Sequence, residues 1–349
     1  MLDDVQIYTQ KDPSGALGVA ASEWQQAKFE AEVQHPDHDG REITRIVFAG
    51  MGGSALSALM VKSWLEGSLD VPFEVVRTYA LPAYVGSSTL VVISSCSGNT
   101  EETLSCLDDA QARGAQIAVL TAGGTLLERA QQGSMTHVVL PSRTEYEPRM
   151  TTLAQMRALT KLLWHFGVTD GSYYDEIARY ADWLHDESQA WLPEVTTDKN
   201  IAKQLALFSV GKTAVFYAGH LMAPIAYKWK ISWNETGKNL AFWNEYPEFN
   251  HNEFLGWSSH PIEKPYAVID LVSDFEHERI LKRFELSDKL LSGRRPKANI
   301  VRLQGESPVA QMLWGCVLAD FVSSYVAVLN GVDPTPVDLI EKFKKELAS

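Results

Sequence analysis

Arg45-Ile46-Val47-Phe48-Ala49 runs directly into Gly50-Met51-Gly52-Gly53-Ser54, and Thr89-Leu90-Val91-Val92-Ile93 into Ser94-Ser95-Cys96-Ser97-Gly98-Asn99-Thr100. In both stretches a short apolar run gives way to glycine and hydroxyl residues. Each reads as strand, tight turn and helix start, with small side chains where backbone N–H groups and hydroxyls can surround an anion. Two such turns in one parallel sheet point to a phosphate pocket.

The alternation continues outward from these turns. Helices are predicted over 54–66, 100–113, 125–132 and from 150 to 166, and strands over 45–49, 73–78, 89–95, 116–121 and 136–140. Near-continuous apolar strands separated by helices indicate a parallel sheet covered on both faces. After helices at 173–192 and 198–209, a second unit follows with strands at 213–218, 266–272 and 298–303. Its helices are expected at 222–233, 275–291 and 308–329, with a final one beginning near Pro336. The openings Val47-Phe48-Ala49-Gly50 and Phe216-Tyr217-Ala218-Gly219 are alike, which suggests a duplicated α/β domain. The second unit lacks the serine-rich turns, so as a duplicate it has lost the anion site. The expected organisation is a helical segment over 1–44 (from about Leu17 to Glu32), a phosphate-binding domain over 45–170 and a second domain over 171–349.

The 349 residues carry a net charge of −13, which argues against a nucleic-acid partner, whose backbone is bound by clustered Lys and Arg. The acidic start MLDDVQIYTQKD does not read as a signal peptide, and no uninterrupted apolar run approaches membrane-spanning length. Cys96, Cys106 and Cys316 lack CxxC spacing and read as buried thiols in a reducing compartment. These features together lead to the expectation of a cytoplasmic protein without a membrane partner.

The first turn alone could be a glycine-requiring βα connection. It is neither a GxGxxG fingerprint, since position 55 is Ala, nor a Walker loop, which needs GK[ST]. In the second turn Asn99 and Glu102 form an expected capping box. Ser95, Ser97 and Thr100 then place three hydroxyls at one helix start. A cap needs one hydroxyl, and three suit phosphate oxygens.

The pairing of G-M-G-G-S with S-x-S-G-N-T resembles the sugar isomerase (SIS) domain, a phosphosugar-binding fold. That resemblance implies a flavodoxin-like three-layer αβα unit with a five-stranded parallel sheet, its serine loop gripping the substrate phosphate. Further motifs are Glu147-Pro148-Arg149, Asn234-Glu235-Thr236, Pro247-Glu248-Phe249-Asn250-His251-Asn252-Glu253 and Asp333-Pro334-Thr335-Pro336-Val337. In this order they are similar to the bifunctional phosphoglucose/phosphomannose isomerases, which carry two SIS domains. The resemblance runs from about residue 45 to the C-terminus. It implies interconversion of glucose 6-phosphate and mannose 6-phosphate with fructose 6-phosphate through a cis-enediol, with no cofactor or metal.

Aldose–ketose isomerisation needs a carboxylate base, a cation for the enediolate and a group that opens the ring. Glu235 is the candidate base, with a surface glutamate near a helix end as the other reading. His251 is the candidate ring-opening group; a structural loop histidine and a metal ligand paired with Glu253 are the alternatives. Arg149 is unremarkable as a surface residue, and the resemblance implies that it stabilises the enediolate. Thr335 and Lys342 are seven apart and share a face if the last helix starts near Thr335. The resemblance implies a ring-opening lysine there, taken as Lys342 over Lys344 or Lys345, and a Thr that leaves room for either C2 epimer. Gly53, Ser54, Ser95, Ser97 and Thr100 are expected to hold the phosphate. The resemblance also implies a homodimer in which His251 completes the neighbour's site. The aromatic stretch 227–257 then reads as either interface or core. A non-catalytic phosphosugar sensor and another SIS enzyme, such as an amino-sugar deaminase, are the rival readings.

Overall fold

A computed structural model describes residues 1–141, 147–259 and 265–347. The strands in chain order are β1 Val33–Gln34, β2 Arg45–Gly50, β3 Phe73–Val76, β4 Thr89–Ser95 and β5 Gln116–Thr121. They continue with β6 Thr136–Val139, β7 Thr213–Gly219, β8 Ala241–Tyr246, β9 Tyr266–Val272 and β10 Asn299–Arg302. Chain contacts divide the molecule into two compact units. A first unit comprises Ser22–His185 with Gly305–Leu313, and a second comprises Met1–Ala21, Asp186–Gln304 and Trp314–Ser349. This division differs from the expected separate segment over 1–44 and a boundary at 170.

In the first unit the sheet order is β1-β6-β5-β4-β2-β3. All neighbours are parallel except the short β1, which pairs antiparallel with β6. The five parallel strands thus follow the flavodoxin order, with the direction of winding reversing between β2 and β4. β2 and β4 are almost entirely buried, as continuous apolar runs covered on both faces should be. Val47, Ile93 and Val119 of the sheet pack with Leu107 and Leu126 from the helices Glu101–Ala112 and Gly124–Gln132.

The second unit's sheet, β10-β9-β7-β8, is wholly parallel and winds in the same sense, reversing between β7 and β9. It has one strand more than expected. β8 falls in the motif-rich stretch after Glu235, where Phe242 and Trp243 are partly exposed on an edge strand and hide the strand pattern. Tyr217, Tyr246, Phe249, Trp257 and Phe284 form one aromatic core beneath this sheet.

The predicted helix over 17–32 is shorter, ending at Ser22 before a 3-10 turn at Glu23–Lys28. Its first part belongs to the second unit. Asp12 accepts the N–H groups of Ala16 and Leu17 at 2.7 and 2.9 Å, Lys203 donates to Asp3 at 3.2 Å, and the Tyr8 and Tyr325 rings meet edge-on. The 3-10 turn belongs to the first unit, where Gln26 donates to the Met150 carbonyl at 2.6 Å and accepts from the Ala154 N–H at 3.4 Å. The expected helix at 173–192 is broken at Tyr180 into Ser172–Arg179 and Ala181–Gln189.

The helix Pro308–Asn330 is long and apolar enough to cross a membrane, but 94% of its most apolar window is buried inside the protein. Its Asp320 accepts two hydrogen bonds from Lys228, at 2.6 and 2.8 Å, and one from Ser232 at 2.7 Å, with both charged side chains fully buried. A buried charge stripped of its partner is costly. Asp320→Ala is expected to lower stability by about 3–5 kcal/mol in urea unfolding; a loss below about 1 kcal/mol would show that Lys228 finds water instead.

Candidate active site

In an open parallel sheet, ligands bind beyond the carboxyl ends of the strands at the point where the winding reverses. In the first unit that point lies between β2 and β4, and both glycine- and serine-rich turns leave from it. Gly52 and Gly53 open the helix Gly52–Leu65. A Cβ on Gly53 would stand 2.7 Å from the Pro148 carbonyl oxygen, so this helix start lies directly against the turn that carries Arg149. Ser54 is buried in the same first turn.

Ser95 ends β4, and its hydroxyl lies 2.8 Å from that of Thr100 and 3.3 Å from that of Ser97. Three hydroxyls thus converge at the start of the helix Glu101–Ala112, whose first-turn N–H groups carry partial positive charge. Ser95 also accepts the Gly98 N–H at 3.1 Å, and Ser97 accepts the Asn99 N–H at 3.3 Å. Gly98 has φ +71, and a Cβ there would overlap the Gly123 carbonyl, so only glycine fits. Cys96 between the serines is buried.

The capping box expected of Asn99 and Glu102 does not form. Thr100 is the N-cap, with its hydroxyl committed to Ser95 rather than to the helix. Asn99 instead accepts the Thr125 N–H at 3.0 Å, capping the neighbouring helix Gly124–Gln132 and tying the serine turn to the next βα turn. Local sequence carries no signal of this, because the partner lies 26 residues away.

Arg149 sits in the 3-10 turn Pro148–Met150 and is 1% exposed, so it is not a surface arginine. Its Nη1 is 3.5 Å from a Glu147 carboxylate oxygen. Gln26, which grips Met150 and Ala154, braces this turn and was not singled out from sequence.

The remaining candidates lie in the second unit. Glu235 is the last residue of the helix Ala223–Glu235 and is half-buried; its carbonyl accepts from Lys238 Nζ. Trp229 and Trp233 on this helix pack against Phe216 of β7, at 5.5 and 5.3 Å between ring centroids. His251 closes the 3-10 turn Glu248–His251 and is exposed. Glu253, its candidate metal partner, is held by the Tyr217 hydroxyl and by the Asn244 amide at 2.7 Å, which anchors the histidine loop to β7 and β8. The stretch 227–257 is partly core and partly exposed. Trp229, Trp233, Tyr246, Phe249 and Trp257 are core, whereas Leu240, Phe242 and Leu255 are exposed.

The face-sharing argument for Thr335 and Lys342 fails. The last helix is Asp338–Leu347, so Thr335 precedes it, with Pro336 between. Thr335 is half-buried and donates its N–H to Asp333 at 3.0 Å, and Lys342 is exposed. Lys344 is paired with Glu341 at 3.0 Å.

Residues 41–163 match the SIS domain family, and residues 198–347 match the bacterial phospho-glucose isomerase C-terminal SIS domain. The first of these matches contains the serine turn, and together they make the molecule a protein of two SIS domains. A bifunctional phosphoglucose/phosphomannose isomerase of Caldicellulosiruptor bescii is 35% identical over 88% of this chain and 90% of its own length. A D-glucosamine-6-phosphate 4-epimerase of Sulfolobus acidocaldarius is 34% identical over 65% of this chain and 70% of its own. In fold alone, a hypothetical protein of Thermus thermophilus matches with a TM-score of 0.72 at 16% identity, over 100% of this chain and 94% of that one. The chain belongs to the bifunctional phosphoglucose/phosphomannose isomerase family.

Removing the Asn99 cap should loosen the serine turn together with the helix it ties down. Asn99→Ala is expected to cost about 1 kcal/mol and to speed amide exchange at Thr125. Unchanged exchange there would show that the turn is held by its hydroxyls alone.

Proposed function

We propose that the protein interconverts glucose 6-phosphate and mannose 6-phosphate with fructose 6-phosphate by moving a proton between C1 and C2 through a cis-enediol. The observation that carries this reading is the cluster of three hydroxyls at the winding reversal of the first sheet, in a chain 35% identical to a bifunctional phosphoglucose/phosphomannose isomerase along nearly its whole length. The phosphate is assigned to Gly53, Ser54, Ser95, Ser97 and Thr100. Hydroxyls and helix N–H groups donate to phosphate oxygens without adding a competing charge.

Glu235 is the base that removes the C2 proton of the aldose and, as a carboxylic acid that has exchanged its proton with solvent, protonates C1. A single carboxylate serves both steps because the two carbons present the proton on the same face of a cis-enediol. Arg149 is assigned to the developing enediolate oxygen, where a fixed guanidinium charge lowers the barrier. His251 and Lys342 are assigned to exchange the proton of the ring oxygen on opening, and Thr335 to leave room at C2 for either epimer. We further propose a homodimer, supported by the exposed apolar side chains of Leu240, Phe242 and Leu255 in the stretch that contains His251. A cytoplasmic location is supported by three buried cysteines that form no disulfide.

Coupled assays with both aldose 6-phosphates test the assignment. The wild type is expected to convert both, and Glu235→Gln to lower kcat roughly a hundred- to ten-thousand-fold while remaining folded. Ser95→Ala is expected to raise KM for both substrates more than it lowers kcat. A wild type inert on both sugars would overturn the reading, and turnover of glucosamine 6-phosphate alone would move it to the epimerase relative.

A further inference from the structure

The two sheets allow a residue-by-residue comparison at the point where each reverses its winding. In the first unit β4 ends at Ser95, and Thr100, five residues on, is the N-cap of the next helix. In the second unit β9 ends at Val272, and His277, also five residues on, is the N-cap of Glu278–Leu290. The connection has the same length and the same place in the topology. Its side chains differ: Val272, Asp274 and His277 stand where Ser95, Ser97 and Thr100 stand in the first unit. The hydroxyl set is gone, and Asp274, in the place of Ser97, points to solvent 3.5 Å from Arg302.

What fills the space is Glu276. Its side chain turns inward, 7% exposed, and its carboxylate accepts the N–H of Met222 at 3.0 Å and of Leu221 at 3.3 Å. These N–H groups lie at the start of the helix Ala223–Glu235, which follows β7 as Gly52–Leu65 follows β2. β7 ends at Gly219 and β2 at Gly50; a Cβ on Gly219 would overlap the Glu276 carboxyl carbon. A negative group therefore sits on backbone N–H groups, against a glycine, at the carboxyl end of the sheet's first strand. That is the geometry of a bound anion. Burial raises the Glu276 pKa, while the two N–H groups and His220 hold it down and Glu245 opposes them.

We infer that Glu276 is a built-in anion that occupies, in the second unit, the position equivalent to the first unit's phosphate site. This rests on reading the first unit's hydroxyl turn as the phosphate site, but its test needs no turnover. Glu276 also fixes the start of the helix whose last residue is Glu235.

The experiment measures inorganic phosphate binding by equilibrium dialysis and by thermal unfolding. The parent is the full chain carrying Ser95→Ala and Thr100→Val, which removes the first unit's hydroxyls. Adding Glu276→Ala to this parent should open a phosphate site that the parent lacks. Phosphate should then raise Tm by about 2–4 °C beyond any effect on the parent. A folded triple variant that binds no more phosphate than its parent overturns the inference. Should the alanine variant fail to fold, Glu276→Gln in the otherwise wild-type chain decides the matter, since it keeps the volume and removes the charge. It is expected to lower Tm and to speed amide exchange at Leu221 and Met222; unchanged Tm and exchange would refute the role. An isomerase assay that failed while these binding results held would overturn the catalytic assignment and leave this inference standing.

Discussion

A phosphate dianion leaves water where a set of donors replaces its hydration, and neutral hydroxyls and backbone N–H groups can do so without burying a cation. The carboxyl end of a parallel sheet, at the reversal of winding, supplies such a place because two helix starts open side by side there. On the proposed phosphate reading, much of the first unit follows from meeting that requirement. β2 and β4 must be adjacent and parallel, their turns must be short, and their residues must be small enough for backbone to approach. Gly98, the mutual hydroxyl contacts of Ser95, Ser97 and Thr100, and the reach of Asn99 to Thr125 all serve to hold one turn in one shape. The approach of Gly53 to Pro148 sets the Arg149 turn beside it.

The second unit repeats the winding with a different answer to the same electrostatics. Its helix start would also carry uncompensated N–H groups beside a glycine, and there the chain provides Glu276. The unit also carries an aromatic core and the loop of His251. That loop is anchored through Glu253 to Tyr217 and Asn244 rather than left to its own turn chemistry.

The sequence announced these sheets where strands are buried on both faces. β5 and β9 match their predicted spans residue for residue, because continuous apolar runs bounded by polar turns leave little choice of ends. β8 escaped because an edge strand need bury only one side, and its exposed Phe242 and Trp243 blurred the alternation. The hydroxyl cluster was legible from residue type alone, since Ser95, Ser97 and Thr100 are close in the chain. What could not be read were contacts across long separations. Residues 1–21 join the second unit through Asp3 with Lys203 and Tyr8 with Tyr325, and Gln26 braces the turn of Arg149. The spacing of Thr335 and Lys342 misled for a local reason, as Pro336 lies between them and the helix begins only at Asp338. Lys342 is consequently proposed on the resemblance rather than on helical phase.

The central claim is that a proton, not a hydride, moves between C1 and C2 of a hexose 6-phosphate. Conversion of glucose 6-phosphate in D2O, followed by proton and deuterium NMR, tests this most directly. The account predicts deuterium at C1 of fructose 6-phosphate and at C2 of the mannose 6-phosphate formed with it, because the carboxylic acid of the base exchanges with solvent before it reprotonates the enediol. Products free of deuterium at both carbons throughout turnover would contradict it.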